Sequence, residues 1–237
     1  MYKTDPHTHS LVSGHAYNTI KEMADAAAKK GIKTLGITEH GPDMVSLTTD
    51  EYFMNLTAID RNAYGVLLLL GAEADIKDAE GSLDINENVL SALDIVITSF
   101  HKQCYTSGSM TENTRAAVKA MEKSFTAIMG HPDDGKFPLD YKELVYAARS
   151  CGVILEVNNA SLTPDSYRLN GRENCMMMLD ECAKQEAYVI VSSDAHTDTA
   201  IGDTGYAQDL LLEMDFPEKL ILNDRPEMFF EHLRSKK

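Results

Sequence analysis

Seven short apolar stretches, each closed by a polar residue, recur through the chain at intervals of 27 to 36 residues, and this rhythm limits the fold more than any other feature. Six are rich in Ile, Val and Leu: Thr34 to Thr38, Val66 to Leu70, Ile95 to Ser99, Ala127 to Gly130, Val153 to Val157 and Tyr188 to Ser192. A seventh lies near Lys3 to His7, and the residues that close the series are His9, His40, Glu73, His101, His131, Asn158 and Asp194. Runs of this length without polar alternation suit strands buried on both faces. The segments between them have helical character. The first follows Thr19 as N-cap, with Glu22 completing a capping box, and stops at Gly31. Further helices are expected near Asp50 to Ala63, Asn113 to Lys123, Asp140 to Arg149, Arg172 to Gln185, Thr204 to Met214 and Glu227 to Arg234.

Alternating strands and helices argue for a parallel α/β sheet, either open and doubly wound or closed into a barrel. Ligand-type residues at the strand ends favour closure. Such folds build their sites at the carboxyl ends of strands, and seven strands reach one site only from a ring. The expected architecture is therefore a distorted seven-stranded (β/α)7 TIM-like barrel, one domain over residues 1–237. No linker or low-complexity segment divides it.

Of eight histidines, only His232 falls in a helical segment. In His7-x-His9 the i, i+2 spacing turns both imidazoles to one face of a strand, as two ligands of one ion require. If the last strand closes against the first, Asp194 comes beside His7 and His9, while consecutive strands bring Glu73, His101 and His131 together. His15, His40 and His196 surround the mouth and could hold a third ion. A shell of imidazoles and carboxylates without thiolate suits zinc, with manganese or iron as alternatives.

The stretches Asp5-Pro6-His7-Thr8-His9, Thr38-Glu39-His40, Gly130-His131-Pro132 and Ser193-Asp194-Ala195-His196, with His15, Glu73 and His101 between, resemble the motifs of the polymerase-and-histidinol-phosphatase (PHP) domain family. The likeness is to its small stand-alone bacterial members and spans nearly the whole chain. It implies a trinuclear site hydrolysing phosphate esters: one metal on His7, His9, Glu73 and Asp194, a second on Glu73, His101 and His131, and a third on His15, His40 and His196. Glu73, Asp194 and His196 are then the expected catalytic set. A metal-activated hydroxide would attack phosphorus, so no protein nucleophile is required. Lys102, Asn158 with Asn159, Arg168 and Arg172 are candidates to hold the substrate's phosphoryl oxygens. The loop 160–171 has no assigned role.

Composition narrows the partners. With 22 basic and 37 acidic residues the formal charge is −15, which repels a polynucleotide and favours a small phosphorylated substrate in a local metal-lined pocket. The longest apolar run, Val66 to Ala72, is too short to span a membrane, and MYKTDPHTHS lacks a signal-peptide core, so a cytoplasmic enzyme is expected. Cys104, Cys151, Cys175 and Cys182 are too sparse for a disulfide framework. Cys175 to Met178 reads as core filling, and Phe229, Phe230 and Leu233 as helix docking or a homo-oligomer contact. Two other functions fit the residues: a metal-dependent amide or C–N hydrolase of amidohydrolase type, and a non-catalytic metal-binding module.

Overall fold

A computed structural model describes residues 2–236. Seven parallel strands form one sheet in sequential order: β1 (Thr4–Asp5), β2 (Thr34–His40), β3 (Leu67–Asp75), β4 (Ile95–Ser99), β5 (Ile128–Met129), β6 (Ile154–Asn158) and β7 (Val189–Ser192). The sheet curls until its ends meet. Beyond β1 and β7, Asp194 N–H donates to His7 O at 3.0 Å and His9 N–H to Ala195 O at 2.9 Å. Lower down, where β1 is short because Pro6 has no N–H to give a ladder, residues 221–223 fill the gap. Leu222 N–H donates to Val189 O, and the buried Asn223 amide donates to Thr4 O at 3.0 Å and Val191 O at 2.7 Å while accepting from Val191 N–H. One side chain thereby stands in for missing ladder bonds between β7 and β1. The expected seven-stranded barrel is what the chain forms.

Among the described residues eight α-helices accompany the strands: α1 (Ile20–Lys29), α2 (Asp50–Asn55), α3 (Glu87–Leu90), α4 (Met110–Met121), α5 (Tyr141–Cys151), α6 (Gly171–Gln185), α7 (Gly205–Glu213) and α8 (Pro226–Arg234). The capping box at Thr19 and Glu22 is present. The helix expected over Asp50 to Ala63 ends early, at Asn55, with a 3₁₀ turn at Leu56–Ala58. There the Arg61 guanidinium donates to Leu56 O and Ile59 O, satisfying carbonyls that a continuing helix would otherwise pair. Among the described residues no helix is long and apolar enough to cross a membrane.

Strand alternation sorts the side chains into layers. Leu69, Ile97, Ile128, Ile154 and Ile190 point into the barrel and pack on Phe229 and Leu233 of α8, which plugs the amino-terminal mouth. The opposite parity, including Leu68, Leu70, Leu155 and Val191, faces the helices. Cys175 and Met178 join that outer core, as expected, and all four cysteines are free. Above the apolar floor the interior has little room: a Cβ at Gly71 would lie 1.9 Å from Ile95 O, and one at Gly36 would lie 2.0 Å from Pro6 O. Only glycine lets these strands approach so closely. The next inward positions up carry the polar residues.

Candidate metal centre

Period-two alternation continues past each apolar layer, so that Leu69 and Gly71 lead to Glu73, Ile97 and Ser99 to His101, and Ile154 to Glu156 and Asn158. His7, His9, His40, Glu73, His101, His131 and Asp194 are all buried at this upper end of the barrel; His15 and His196 lie at its edge. His7 Nε2 is 3.1 Å from His9 Nε2, and these two atoms are 3.7 and 3.3 Å from Asp194 Oδ1. Two nitrogens bound to one tetrahedral ion at about 2.0–2.1 Å stand about 3.3 Å apart, so the spacing suits a shared ion.

Glu73 sits at the centre. Its Oε1 is 2.7 Å from His131 Nε2 and 3.7 Å from His101 Nε2, whereas Oε2 is 3.2, 3.4 and 3.0 Å from His7 Nε2, His9 Nε2 and His40 Nδ1. Each oxygen faces a different group of histidines. At the outer edge His196 Nε2 is 3.0 Å from His15 Nε2, and ligand atoms of His9, His40 and His196 lie within 4.8 Å of one another. The ligand atoms gather as His7, His9 and Asp194, as His40, Glu73 and His101, and as His9, His40 and His196, a grouping that differs from the three expected sets because His9 and His40 each face two neighbours.

Most of these rings are held by the nitrogen that faces away from the cluster. His7 Nδ1 is 2.6 Å from Glu156 Oε1 and His101 Nδ1 is 2.7 Å from Asp75 Oδ1. His9 Nδ1 is 3.1 Å from Ser13 Oγ, which donates to Glu39 Oε2, while His15 and His196 Nδ1 approach the carbonyls of Ser13 and Asp194. A carboxylate or carbonyl on Nδ1–H fixes the tautomer and leaves Nε2 free to ligate. Two backbone positions are also constrained: His131 and Asp194 adopt positive φ, 26° and 55°. Such conformations persist in non-glycine residues where the surroundings impose them.

The donor set fits metal ions on two further counts. His40 Nδ1 and Nε2 and Glu73 Oε2 are buried without a hydrogen-bond partner, a cost that coordination would remove. Charge agrees: burial alone would push Glu73 and Asp194 upward, yet the surrounding histidines and, for Asp194, Arg168 hold both carboxyls well below their usual range. Burial opposes protonation of His7 and His101, but Glu156, Glu73 and Asp194 overcome it at His7, and Asp75 and Glu73 push His101 up to about 9. The cluster draws positive charge to itself. His9 is held far below its ordinary value by burial and by His40 and His196, and His15 is lowered to about 4 by burial and the same kind of neighbours. The carboxylates, His9 and His15 are thus already in the forms that bind divalent ions, whereas His7 and His101 would release a proton on binding one.

The proposed oxygen-holding residues divide. Arg168 lies in the pocket wall with its guanidinium bound at 2.9 Å to both Asp194 Oδ2 and Asn158 Oδ1, so it orients a cluster carboxylate. Asn158 is buried below the pocket, its amide spent on Glu156, Asp194, Arg168 and Ser161 N–H; its place is that of a positioning residue and not the oxygen-holding one expected for it. Asn159 accepts from Ala207 N–H and anchors α7. Arg172 lies away from the pocket in an exposed ion pair with Glu213, because it sits on the outward side of the first turn of α6. Lys102 lines the pocket beside His101. Glu156, Asp75 and Asp133 are not among the residues that the sequence singles out. Glu156 and Asp75 carry the signal of an acidic residue two positions from Asn158 or Glu73 on the same strand face; Asp133, which accepts from Ser161 Oγ, follows His131 in a loop and has none.

The pocket above the cluster has a volume of about 460 Å³ and includes part of the 160–171 loop through Tyr167 and Arg168. Comparison with known proteins agrees with this picture. The PHP domain family model matches residues 5–160. The chain is 37% identical to a "probable phosphatase" of Clostridium novyi, over 99% of this chain and 96% of that one. A "probable phosphatase" of Caldicellulosiruptor bescii is 38% identical over 98% and 95%. In fold, the chain is similar to histidinol phosphate phosphatase from Lactococcus lactis, solved with zinc, L-histidinol and phosphate (TM-score 0.67, 20% identity, 91% and 95% covered). It is also similar to a chain of archaeal ribonuclease P solved with mature tRNA (TM-score 0.62, 15% identity, 98% and 90% covered).

Proposed function

The chain belongs to the PHP domain family, and from that premise we propose that it is a metal-dependent phosphatase acting on small phosphate monoesters at a trinuclear site. The observation that carries the reading is the position of Glu73, whose two oxygens face separate groups of histidines as a bridging carboxylate must. The residues that would hold the ions are His7, His9, Glu73 and Asp194; Glu73, His101 and His131; and His15, His40 and His196. Divalent ions bound there supply positive charge to a phosphoryl group and activate water near neutral pH.

The protein's own contribution is orientation. Glu156 and Asp75 keep His7 and His101 in the tautomer whose Nε2 faces inward, and Ser13 with Glu39 does the same for His9. Arg168 and Asn158 hold Asp194 by its Oδ2, leaving Oδ1 toward His7 and His9. Arg168 lines the pocket, and an N–H not used on Asn158, Ser161 or Asp194 would donate to a phosphoryl oxygen. Size and charge favour a monoester over a polynucleotide, since a strand would lay many phosphates across a surface carrying −15.

The test is phosphate release from an aryl phosphate by zinc- or manganese-loaded protein, run beside a labelled single-stranded oligonucleotide and a simple amide. Phosphate release with the other two left intact is the expected result. Oligonucleotide digestion or amide cleavage in its place would overturn the assignment.

A further inference from the structure

Above the histidines, the pocket wall combines apolar surface from Met44, Phe100, Phe137 and Tyr167 with Gln103, Asp134, Arg168 and two lysines, Lys102 and Lys136. Both belong to a chain in which acidic residues outnumber basic ones 37 to 22, yet neither ammonium is closely neutralised. Lys102 has no carboxylate within 4.0 Å among the described residues. The nearest to Lys136 Nζ is Asp134 Oδ2, at 3.9 Å. Asp134 is otherwise committed to the turn, where its Oδ1 accepts from Lys136 N–H at 3.0 Å and Leu169 N–H at 3.1 Å. The Lys136 ammonium is nonetheless held in place, 4.6 Å from the centroid of the Tyr167 ring, with its side chain one-third exposed. Asp134 and Asp194 are the only acidic residues in the lining, and Asp194 is already bound to Arg168.

Two ammonium groups lining one pocket, Lys102 exposed and Lys136 about one-third exposed, repel any further cation brought there. A leaving group bearing an amine would add to that repulsion. A neutral polyol is not repelled, and its hydroxyls can bond Gln103 or the lysines, but without the charge that about doubles the strength of such a bond. An anion meets both lysines favourably while its carbon chain lies on Phe100, Phe137 and Met44. We propose that the substrate carries a second anionic group, a carboxylate or further phosphate on a short carbon chain, recognised by Lys102 and Lys136 while the scissile phosphate occupies the cluster. This rests on the phosphatase reading and assigns its substrate class.

Three phosphate monoesters that differ mainly in the distal group separate the alternatives: 3-phosphoglycerate (carboxylate), glycerol 3-phosphate (neutral) and phosphoethanolamine (ammonium), with an aryl phosphate to register phosphatase activity itself. The kcat/KM for 3-phosphoglycerate should exceed that for glycerol 3-phosphate about tenfold, the size of one good charge-assisted hydrogen bond. Phosphoethanolamine should be the poorest of the three. In the double variant Lys102→Met, Lys136→Met the first ratio should collapse to within about twofold, and in Lys136→Glu the order of the anionic and ammonium substrates should reverse. Both lysines lie at the surface of the pocket and not in the core, and far-ultraviolet circular dichroism checks that the variants fold. Equal kcat/KM values for the three esters, or a preference for the anion that survives the double variant, would overturn the proposal with phosphatase activity intact. Failure to hydrolyse even the aryl phosphate would remove the phosphatase reading and this inference with it.

Discussion

Replacing Glu156 by Gln alters one charge in a side chain that touches no substrate, and its consequence follows from four hydrogen bonds. Oε1 accepts from His7 Nδ1 at 2.6 Å and from Ser192 Oγ; Oε2 accepts from His131 N–H at 2.6 Å and Asn158 Nδ2 at 3.1 Å. Burial pushes the carboxyl up, but His7 overcomes this and holds it below its ordinary value, so four donors face an ionised acceptor. A glutamine keeps one acceptor oxygen and turns an NH₂ toward the other pair. The backbone N–H of His131 cannot become an acceptor, so the remaining oxygen is best placed there and the NH₂ meets His7. His7 can accept that bond only by moving its proton to Nε2, the nitrogen that faces His9 and Glu73. A ligand is thus lost without any change to its own side chain. Loss of such outer partners costs about 10- to 100-fold in metal affinity. Competition between apoprotein and a chromophoric chelator for zinc measures this directly, and thermal melting of the metal-free variant separates weakened binding from a failure to fold. A Glu156→Gln protein that folds and binds zinc as tightly as wild type would refute the claim that Nε2 of His7 is directed by Glu156.

Three other outcomes follow from the same structure. Glu73→Gln, which removes the charge from a carboxylate placed between two sets of histidines, should lower phosphatase activity on the order of 10³-fold; measurement of kcat with metal content determined in parallel checks it. Phe229→Ala removes a fully buried ring from the plug under the barrel and should cost about 3–5 kcal/mol in urea unfolding, whereas the exposed Leu212→Ala should change stability little. His232 Nε2 is 3.1 Å from Ala127 O and burial lowers its pKa from 6.5, so the unfolded chain takes up this proton first as pH falls. The stabilisation it brings is in place above the ordinary histidine range and is lost on acidification, so the melting-temperature gap between wild type and His232→Gln should narrow as pH falls through and below 6.5.

The barrel, and the gathering of the histidines and carboxylates at its carboxyl end, were legible because both obey short periods. Apolar runs spaced about one strand-helix unit apart gave seven strands, and the polar residue closing each run fell at the end where a parallel barrel places its site. What escaped notice depends on contacts between distant segments. Asn223 pairs with Thr4 and Val191, more than 200 and 30 residues away, and no local pattern marks an asparagine as a substitute for ladder bonds. The early end of α2 depends on Arg61 reaching back to Leu56 and Ile59, against a sequence that continues in helical rhythm. Asn158 and Arg168 were recognised as belonging to the site, but whether such groups face a substrate or a neighbouring carboxylate is decided by Asp194 arriving from another strand. Arg172 is only four residues from Arg168, yet one more turn of chain carries it to the surface.

The central claim is that the convergent imidazoles and carboxylates hold a cluster of ions on which phosphatase activity depends. Titration of metal-free protein with zinc, following phosphate release from an aryl phosphate and bound metal by elemental analysis in the same samples, tests it most directly. The account predicts two to three ions retained per chain, with activity that rises steeply after the first equivalent, saturates by the third and disappears with a chelator. Full activity with less than one ion per chain, or activity that survives removal of all metal, would contradict it.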